Sequence, residues 1–438
     1  MMPKKDTVSK KSAQLSRRSF LKSSAAAAGA VALSRTISMP GMRTVKAQGD
    51  SISVYYWAET NGDFQPVIEL FTEETGISVN YEVAPADYLT HQQLVSTRLA
   101  SSDTTVDAYH LDDFQVAIYG AAGWLTPLDE IVEQAGIDLD DFPETLLTDV
   151  SSWDGFLYRI PWGNDTEIFM YRTDWFDELG LEIPTTWDEL LEAAKALTNE
   201  DRWGMAISAK NNGVLGNDIQ HWTNQAGGAI NNLDTPGSRE ALAFYKALYT
   251  EHLVTPPSAP QEDYTSVNQA FLDNKYAMWW VWDGFLGGMR NSEDFWNDQV
   301  SAFVPPMGPE NNQTTTAAWG WGINGFSEKQ DLAAAWIEFI ARPDVMKMMI
   351  RRGRVPARIS LWSDPDVNDL APSSVFLQQL AEAGNAVKAR PVTPSIQEIY
   401  DLAETNIHAY LTDQKDIDTA IDDAMSQIGP ILERDMAG

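Results

Sequence analysis

Residues 158–198 read YRIPWGNDTEIFMYRTDWFDELGLEIPTTWDELLEAAKALT, and the reading of this stretch decides the fold. It begins as a strand-like run ending at Pro161, passes a polar turn at Gly163-Asn164-Asp165, and resumes as a strand over residues 168–171. Thr173 is placed to cap a short helix that Gly180 stops. Pro184 and the capping box Thr186-Trp187-Asp188-Glu189 then open an amphipathic helix, with Leu190, Leu191, Ala194 and Leu197 on one side.

Outward from that stretch, towards the N-terminus, strand and helix signals alternate. Residues 52–57 form an apolar strand ending in aromatics, 64–75 a helix stopped by Gly76, 77–83 a strand, 91–100 a helix and 106–111 a strand. Such alternation predicts a mostly parallel sheet with helices on its faces, and ligands bind such sheets beyond the carboxyl ends of the strands. Two strand ends carry candidate groups: Trp57 with Glu59, and Asp112 with Asp113. The competing reading of each is a helix cap or a loop acid, and Asp112, which directly follows the strand, fits it less well than Asp113.

Towards the C-terminus, residues 203–207 read as a strand, 217–228 as a helix around Trp222, and 238–250 as an amphipathic helix. A strand at 277–281 delivers Trp282 and Asp283. Residues 319–325 (WGWGING) satisfy G-x-G-x-x-G, but a dinucleotide fingerprint needs a strand before its first glycine and a helix starting at its last. Here three threonines precede it and the strand is predicted at 322–326, so no nucleotide site is assigned. Helices are expected at 331–341, where Trp336 is core, and at 396–411 and 417–432.

The order of these signals resembles family 1 extracellular solute-binding proteins, the periplasmic receptors of sugar-type ABC importers. The shared features are P-x-x-x-D, a strand ending in Tyr171-Arg172, a Trp-Phe helix ending in Gly180-Leu181, and then Pro184-Thr185-Thr186-Trp187-Asp188-Glu189-Leu190. Trp319-Gly320-Trp321-Gly322 is similar to the family's Gly-Gly-Trp-Gly segment, and residues 353–358 to its Gly-x-x-Pro-x-Arg turn, which offers Arg354 to the cleft or to a surface ion pair. The resemblance covers about residues 50–435. It implies an α/β, two-lobed periplasmic binding protein fold of type II, each lobe a mostly parallel sheet flanked by helices and joined by hinge strands. The implied lobes are 48–162 plus 305–355, and 163–304 plus 356–438, after a signal peptide at 1–47. Hinge candidates are residues 159–164, 303–307 and 355–359.

That signal peptide is read from the residues themselves. Four lysines precede Ser16-Arg17-Arg18-Ser19-Phe20-Leu21-Lys22, the twin-arginine consensus, and the apolar run 25–33 is too short to span a bilayer. The sequence contains no Cys, so no lipid-anchor cysteine, disulfide or thiolate metal site is expected. The first 47 residues hold ten Lys/Arg and one acid; of the chain's 31 basic and 63 acidic residues, 21 and 62 remain, a net charge of −41. Such a charge repels nucleic acid and anionic lipid and suits a solvated surface at high ionic strength. A soluble, monomeric periplasmic protein is expected, with no membrane insertion and no nucleic-acid partner.

Enzyme motifs are missing. The five His form no H-E-x-x-H pair, and there is no G-x-S-x-G elbow or Walker loop. Paired acids such as Asp112-Asp113 serve a glycosidase only if two carboxyls face each other across the scissile bond. What the chain does offer, 16 Trp, 14 Tyr and 16 Phe among scattered carboxylates, suits recognition of sugars: rings cover C–H faces and carboxylates accept from hydroxyls. Trp57, Trp222, Trp282, Trp319 and Trp321 are the stacking candidates, with Gly320 letting the ligand approach the backbone. Glu59, Asp112, Asp113, Asp165, Asp283 and Arg354 are the hydrogen-bonding candidates, while Trp162 is read as core. The expected function is capture of a carbohydrate by hinge closure and delivery to the permease subunits of an ABC importer, with no metal, cofactor or catalysis. The alternatives are a receptor for a polyol, a glucosyl-polyol osmolyte or a glycerophospho compound, and a secreted polysaccharide-active enzyme.

Overall fold

Small and apolar side chains along Ser51–Trp57 form β1, whose Ile52, Val54, Tyr55 and Tyr56 are buried. The computed structural model describes residues 50–57, 64–85, 88–290, 299–349, 355–370 and 387–437; the twin-arginine segment, Glu59 and Arg354 lie outside them, as does the side chain of Trp57. β2 (Ser78–Ala84) and β3 (Ala108–Asp112) lie on either side of β1 and parallel to it. The helices Gln65–Thr75 and Tyr88–Ala100 make the two crossovers.

After a short hairpin of β4 (Ser152–Trp153) and β5 (Phe156–Leu157), the chain enters β6 (Ile160–Arg172). The sequence predicts two strands separated by a turn at Gly163-Asn164-Asp165. The structure instead has one strand of 13 residues, irregular only between Pro161 and Gly163. The polar residues do not break it because they are buried where the strand changes partners and their groups are satisfied there. Asn164 Oδ1 accepts from Thr166 Oγ1 at 3.0 Å and from Thr316 Oγ1 at 3.2 Å.

Residues 167–172 of β6 pair antiparallel with β7 (Met278–Trp282) and β8 (Val300–Phe303), whereas 160–166 pair antiparallel with β9 (Thr314–Ile323). β10 (Val355–Pro356) lies on the other edge of β6, and β11 (Val387–Ala389) runs parallel to β9 at 314–316. The sheet is therefore mixed. Among the described strands, the predicted mostly parallel pairing holds for β1–β2, β1–β3 and β9–β11, whereas β6 and β9 are antiparallel connecting strands. Two further expectations change: residues 203–207 form only single bridges, and the strand predicted at 322–326 runs earlier, as β9.

Thr316 pairs with Thr166 on one side and Ala389 on the other, so β11 shares an edge of β9 with β3, which pairs at 319–323. β3 and β11 run in opposite senses. Their carboxyl ends consequently face each other across Ala317 and Ala318, and this places the site.

Helix signals hold well in the crossover stretch. Gly180 (φ 62°) ends Thr173–Leu179, although Thr173 is the first helical residue and its side chain does not cap. Thr186 does cap Trp187–Leu197, which buries Leu190, Leu191, Ala194 and Leu197. Alternation along β7 divides the core: Trp279 and Val281 join one hydrophobic cluster with β1, β3, Trp321 and Trp336, while Met278 and Trp280 join another with Trp187, Trp222 and Tyr400. Val355, Ala357, Leu361, Trp362 and Val367 pack in the first cluster, and Ile396, Ile399 and Ile421 in the second.

Candidate functional site

The chain leaves β3 at Asp112 with an extended backbone, and Asp112 caps the helix Asp113–Ala121 that follows. Its carboxylate accepts from the Asp113 amide at 2.8 Å, and Gln115 Oε1 accepts from the Asp112 amide at 2.8 Å, a reciprocal box. Both acids also face the end of β11. Arg390 donates from Nη2 to Asp112 Oδ1 at 3.0 Å, from Nε to Asp113 Oδ2 at 3.0 Å, and from Nη2 to Asp113 Oδ1. The guanidinium lies over Phe114, 3.8 Å from the ring centre, and 5.5 Å from that of Trp282.

All three ionisable groups are buried. Burial, joined by the neighbouring Asp112, holds the Asp113 carboxyl above the usual carboxylate range although Arg390 pulls it down. Burial opposes the charge on Arg390 too, but the two acids outweigh it and hold the guanidinium protonated. Arg159, also buried, donates to the Leu111 carbonyl at 3.1 Å and to that of Ala318, tying β3 to β9 beneath the acids. Burial lowers Arg159 to about 10, which leaves it cationic at neutral pH.

The opposite wall is built by the helix Leu215–Gln225, all of whose residues are buried. Asn217, His221 and Asn224 fall at i, i+4 and i+7, on one face. His221 Nδ1 is 2.8 Å from Glu167 Oε2, and its ring stacks on Trp280 with centres 3.8 Å apart. Asn217 Nδ2 donates to Tyr264 Oη at 3.2 Å, and Tyr264 is also hydrogen-bonded to Trp282. Lys388 Nζ donates to Asn224 Oδ1 at 3.0 Å.

Tyr400, buried on the helix Ile396–Leu411, closes this wall from the side and meets Phe114 edge-on at 4.9 Å. It fits because residue 216 is glycine: a Cβ there would lie 2.4 Å from Tyr400 Cδ1. Glu404, one turn along, accepts from the Gly213 and Gly216 amides at 2.9 Å each, and burial pushes its carboxyl up to about 7.

Of the residues singled out in the sequence, Asp112, Asp113 and Trp282 meet at this junction. Asp165 is buried nearby on β6 opposite Ala317, and Asp283 is fully buried at the start of the helix Asp283–Arg290. Trp282 keeps a half-buried ring. Trp319, at the β3–β9 pairing, stacks on His110 at 4.9 Å. Trp222 and Trp321 are packed in the two clusters, the first against Trp187 and Trp280, the second against Tyr56, Phe64 and Trp336. Gly320 serves packing too, since a Cβ there would lie 2.3 Å from the Ile160 carbonyl oxygen. Trp162, read as core, is buried and donates from Nε1 to His110 Nε2.

Arg390, Glu167, His221, Asn217 and Tyr400 were missed by the sequence reading. The i, i+4 spacing of Asn217 and His221 was the one available signal; the others are brought in by sheet pairing and helix packing. Among the described residues no group of three or more His, Cys, Asp or Glu is arranged to hold a metal ion. No described helix is long and apolar enough to cross a membrane.

Comparison with known proteins places this junction in context. The sequence profile described as bacterial extracellular solute-binding protein matches residues 57–347, about two thirds of the chain, and the TAT pathway signal sequence profile matches residues 14–34. The chain is 23% identical to a probable amino-acid ABC transporter periplasmic-binding protein of Sinorhizobium fredii, over 83% of this chain and 85% of that one. It is 26% identical to the erythritol/L-threitol-binding protein of Mycolicibacterium smegmatis, over 73% of this chain and 71% of that one. An ABC transporter solute-binding protein of Agrobacterium radiobacter K84 in complex with ribitol superposes with a TM-score of 0.78 at 23% identity, covering 88% of this chain and 99% of that one. The ligands named for these proteins differ, so the likeness carries the fold and the type of protein.

Proposed function

The chain belongs to the bacterial extracellular solute-binding protein family and carries a twin-arginine signal for export to the periplasm, and from that premise we propose that it captures a neutral, hydroxyl-rich solute, a sugar or polyol. The ligand is held between two lobes that close on it and is handed to the membrane subunits of an ABC importer. The protein acts as a monomer and catalyses no reaction. We divide the lobes where β6 and β9 change partners, and place residues 355–370 with the first lobe because their apolar side chains pack there.

One observation carries the reading. The first-lobe acids Asp112 and Asp113, the second-lobe Arg390, the half-buried Trp282 ring and the polar face of Leu215–Gln225 converge on one junction. A ligand touching both walls makes its full set of contacts only in the closed form, and so draws the population there. The charge balance favours a neutral guest over an amino acid or phosphate: Arg390 already answers two carboxylates, and an anion would compete with them.

A thermal-shift panel of monosaccharides, alditols, oligosaccharides, amino acids and glycerophosphodiesters tests this. Ligand at 100 times its dissociation constant adds about 2.7 kcal/mol to stability. Stabilisation by a sugar or alditol that is recovered chemically unchanged is expected. Stabilisation by amino acids alone, or conversion of the sugar to product, would overturn the reading.

A further inference from the structure

Buried polar atoms of the second-lobe wall that make no hydrogen bond include Glu167 Oε1, His221 Nε2, Asn217 Oδ1 and Tyr400 Oη, and with them the amide nitrogens Asn224 Nδ2 and Gln220 Nε2. An orphaned buried donor or acceptor costs about 1–3 kcal/mol, so such a group on one wall is not a neutral packing solution. Other such atoms, among them Tyr109 Oη, Thr255 Oγ1 and Trp336 Nε1, belong to parts of the molecule away from the junction. Glu167, His221, Asn217 and Tyr400 are held in place by their other contacts. Glu167 and His221 fix each other at 2.8 Å, Asn217 is fixed by Tyr264, and Tyr400 is seated over Gly216.

We infer that Glu167, His221, Asn217 and Tyr400 form a subsite that reads adjacent hydroxyls of a short polyhydroxy ligand, an alditol or a single sugar unit. The inference rests on the function proposed above and narrows it. With the carboxylate of Glu167 against Nδ1, that nitrogen carries a proton toward the acid, and Nε2 is the ring nitrogen left to face a ligand. The wall then presents two acceptors, Glu167 Oε1 and Asn217 Oδ1, the ring nitrogen His221 Nε2, the amide donors Asn224 Nδ2 and Gln220 Nε2, and one hydroxyl, Tyr400, that both gives and receives. Acceptors and donors side by side call for a ligand whose groups both give and receive, as hydroxyls do. Carboxylates and phosphates are disfavoured.

An ammonium group also donates, but it brings a charge next to Arg390, which already lies near the Trp282 ring. Hydroxyls bring none, and the Trp282 face suits their C–H backbone. Size follows from the aromatics. Of the five tryptophans the sequence offered, Trp222, Trp319 and Trp321 are buried in packing, and among those whose side chains are described only Trp282 keeps a half-buried ring. One ring faces one sugar unit, whereas an oligosaccharide would need a row of them.

The test is calorimetry on the exported protein with erythritol, ribitol, mannitol, glucose, maltotriose and glycine as probes, repeated with Tyr400→Phe and Glu167→Gln. Tyr400→Phe removes only the orphaned hydroxyl and keeps the ring, so it should leave the melting temperature unchanged or raised. We expect at least one alditol or glucose to bind more tightly than maltotriose, and each substitution to weaken that binding about tenfold. Unchanged affinity in Tyr400→Phe, or in a folded Glu167→Gln, would overturn the subsite while leaving the receptor function standing. Tighter binding of maltotriose would overturn the size argument. No heat with any alditol or sugar would overturn the receptor reading itself, and the subsite with it.

Discussion

Arg390 Nε donates to Asp113 Oδ2 at 3.0 Å, and this contact joins the carboxyl end of β11 to that of β3 across β9. β11 and β3 are thereby tied beside the stretch of β9 that pairs with β6. The cost of burying the guanidinium is offset only while both acids remain opposite it.

Arg390→Ala should therefore destabilise the protein by about 3–5 kcal/mol, because it leaves two buried carboxyls without their cation. Arg390→Lys should lose less, since it keeps the charge but not the paired geometry. Asp113→Asn added to Arg390→Ala should recover part of the loss, giving a large coupling in a double-mutant cycle read by urea denaturation. Additive losses would show that the two side chains act independently.

Tryptophans of the sequence should separate into two groups. Trp321→Ala removes a fully buried ring stacked among Tyr56, Phe64 and Trp336, so about 3–5 kcal/mol of stability should be lost. Trp282→Ala should leave stability nearly unchanged and weaken ligand binding by roughly 1–3 kcal/mol, on the scale of covering one large apolar side chain. Melting curves and calorimetry on the same two variants distinguish these outcomes. Equal loss of affinity without loss of stability in both would place Trp321 in the cleft.

That separation marks what was legible in the sequence. Local signals were: the cap at Thr186, the stop at Gly180, the amphipathic Trp187–Leu197 helix and the buried Trp336 all follow from short-range spacing. Asp112 and Asp113 were legible as the end of a strand. The continuity of β6 was not, because Gly163-Asn164-Asp165 has the composition of a turn and only pairing with β9 and β10 makes it extended. Nor was Arg390, which meets Asp113 from 277 residues away and carries no local mark. Tryptophan identity likewise says nothing of which face of the sheet a ring occupies until strand register is known.

Gly320 illustrates the same limit and gives a third prediction. Read from sequence, it frees the backbone for a ligand; in the fold, a Cβ at this position would come 2.3 Å from the Ile160 carbonyl oxygen and 2.8 Å from Arg159 Cγ. Backbone oxygen cannot move aside without breaking the β6–β9 pairing. Gly320→Ala should cost about 1–3 kcal/mol or more through that strain, and the loss should appear in the melting temperature. A variant that melts normally yet fails to bind ligand would restore the ligand-approach role.

Two further buried acids, Glu404 and Asp218, give the last prediction. Burial raises Glu404 from its usual 4.5 to about 7 and Asp218 from 3.8 to about 6, although each keeps hydrogen bonds, Glu404 from two amides and Asp218 from Tyr245 at 2.6 Å. Both groups bind a proton more tightly folded than unfolded. Their contribution is fully present below the unfolded values, near pH 4, and is lost as pH rises through 6 to 7. For Glu404 the displacement corresponds to on the order of 3 kcal/mol at most. Glu404→Gln keeps an oxygen for the Gly213 or Gly216 amide but cannot ionise. Urea denaturation between pH 5 and 8 should therefore show wild-type stability falling with pH relative to Glu404→Gln, with the difference flattening above pH 8. A constant gap between the two proteins across that range would mean Glu404 is ionised in the fold throughout.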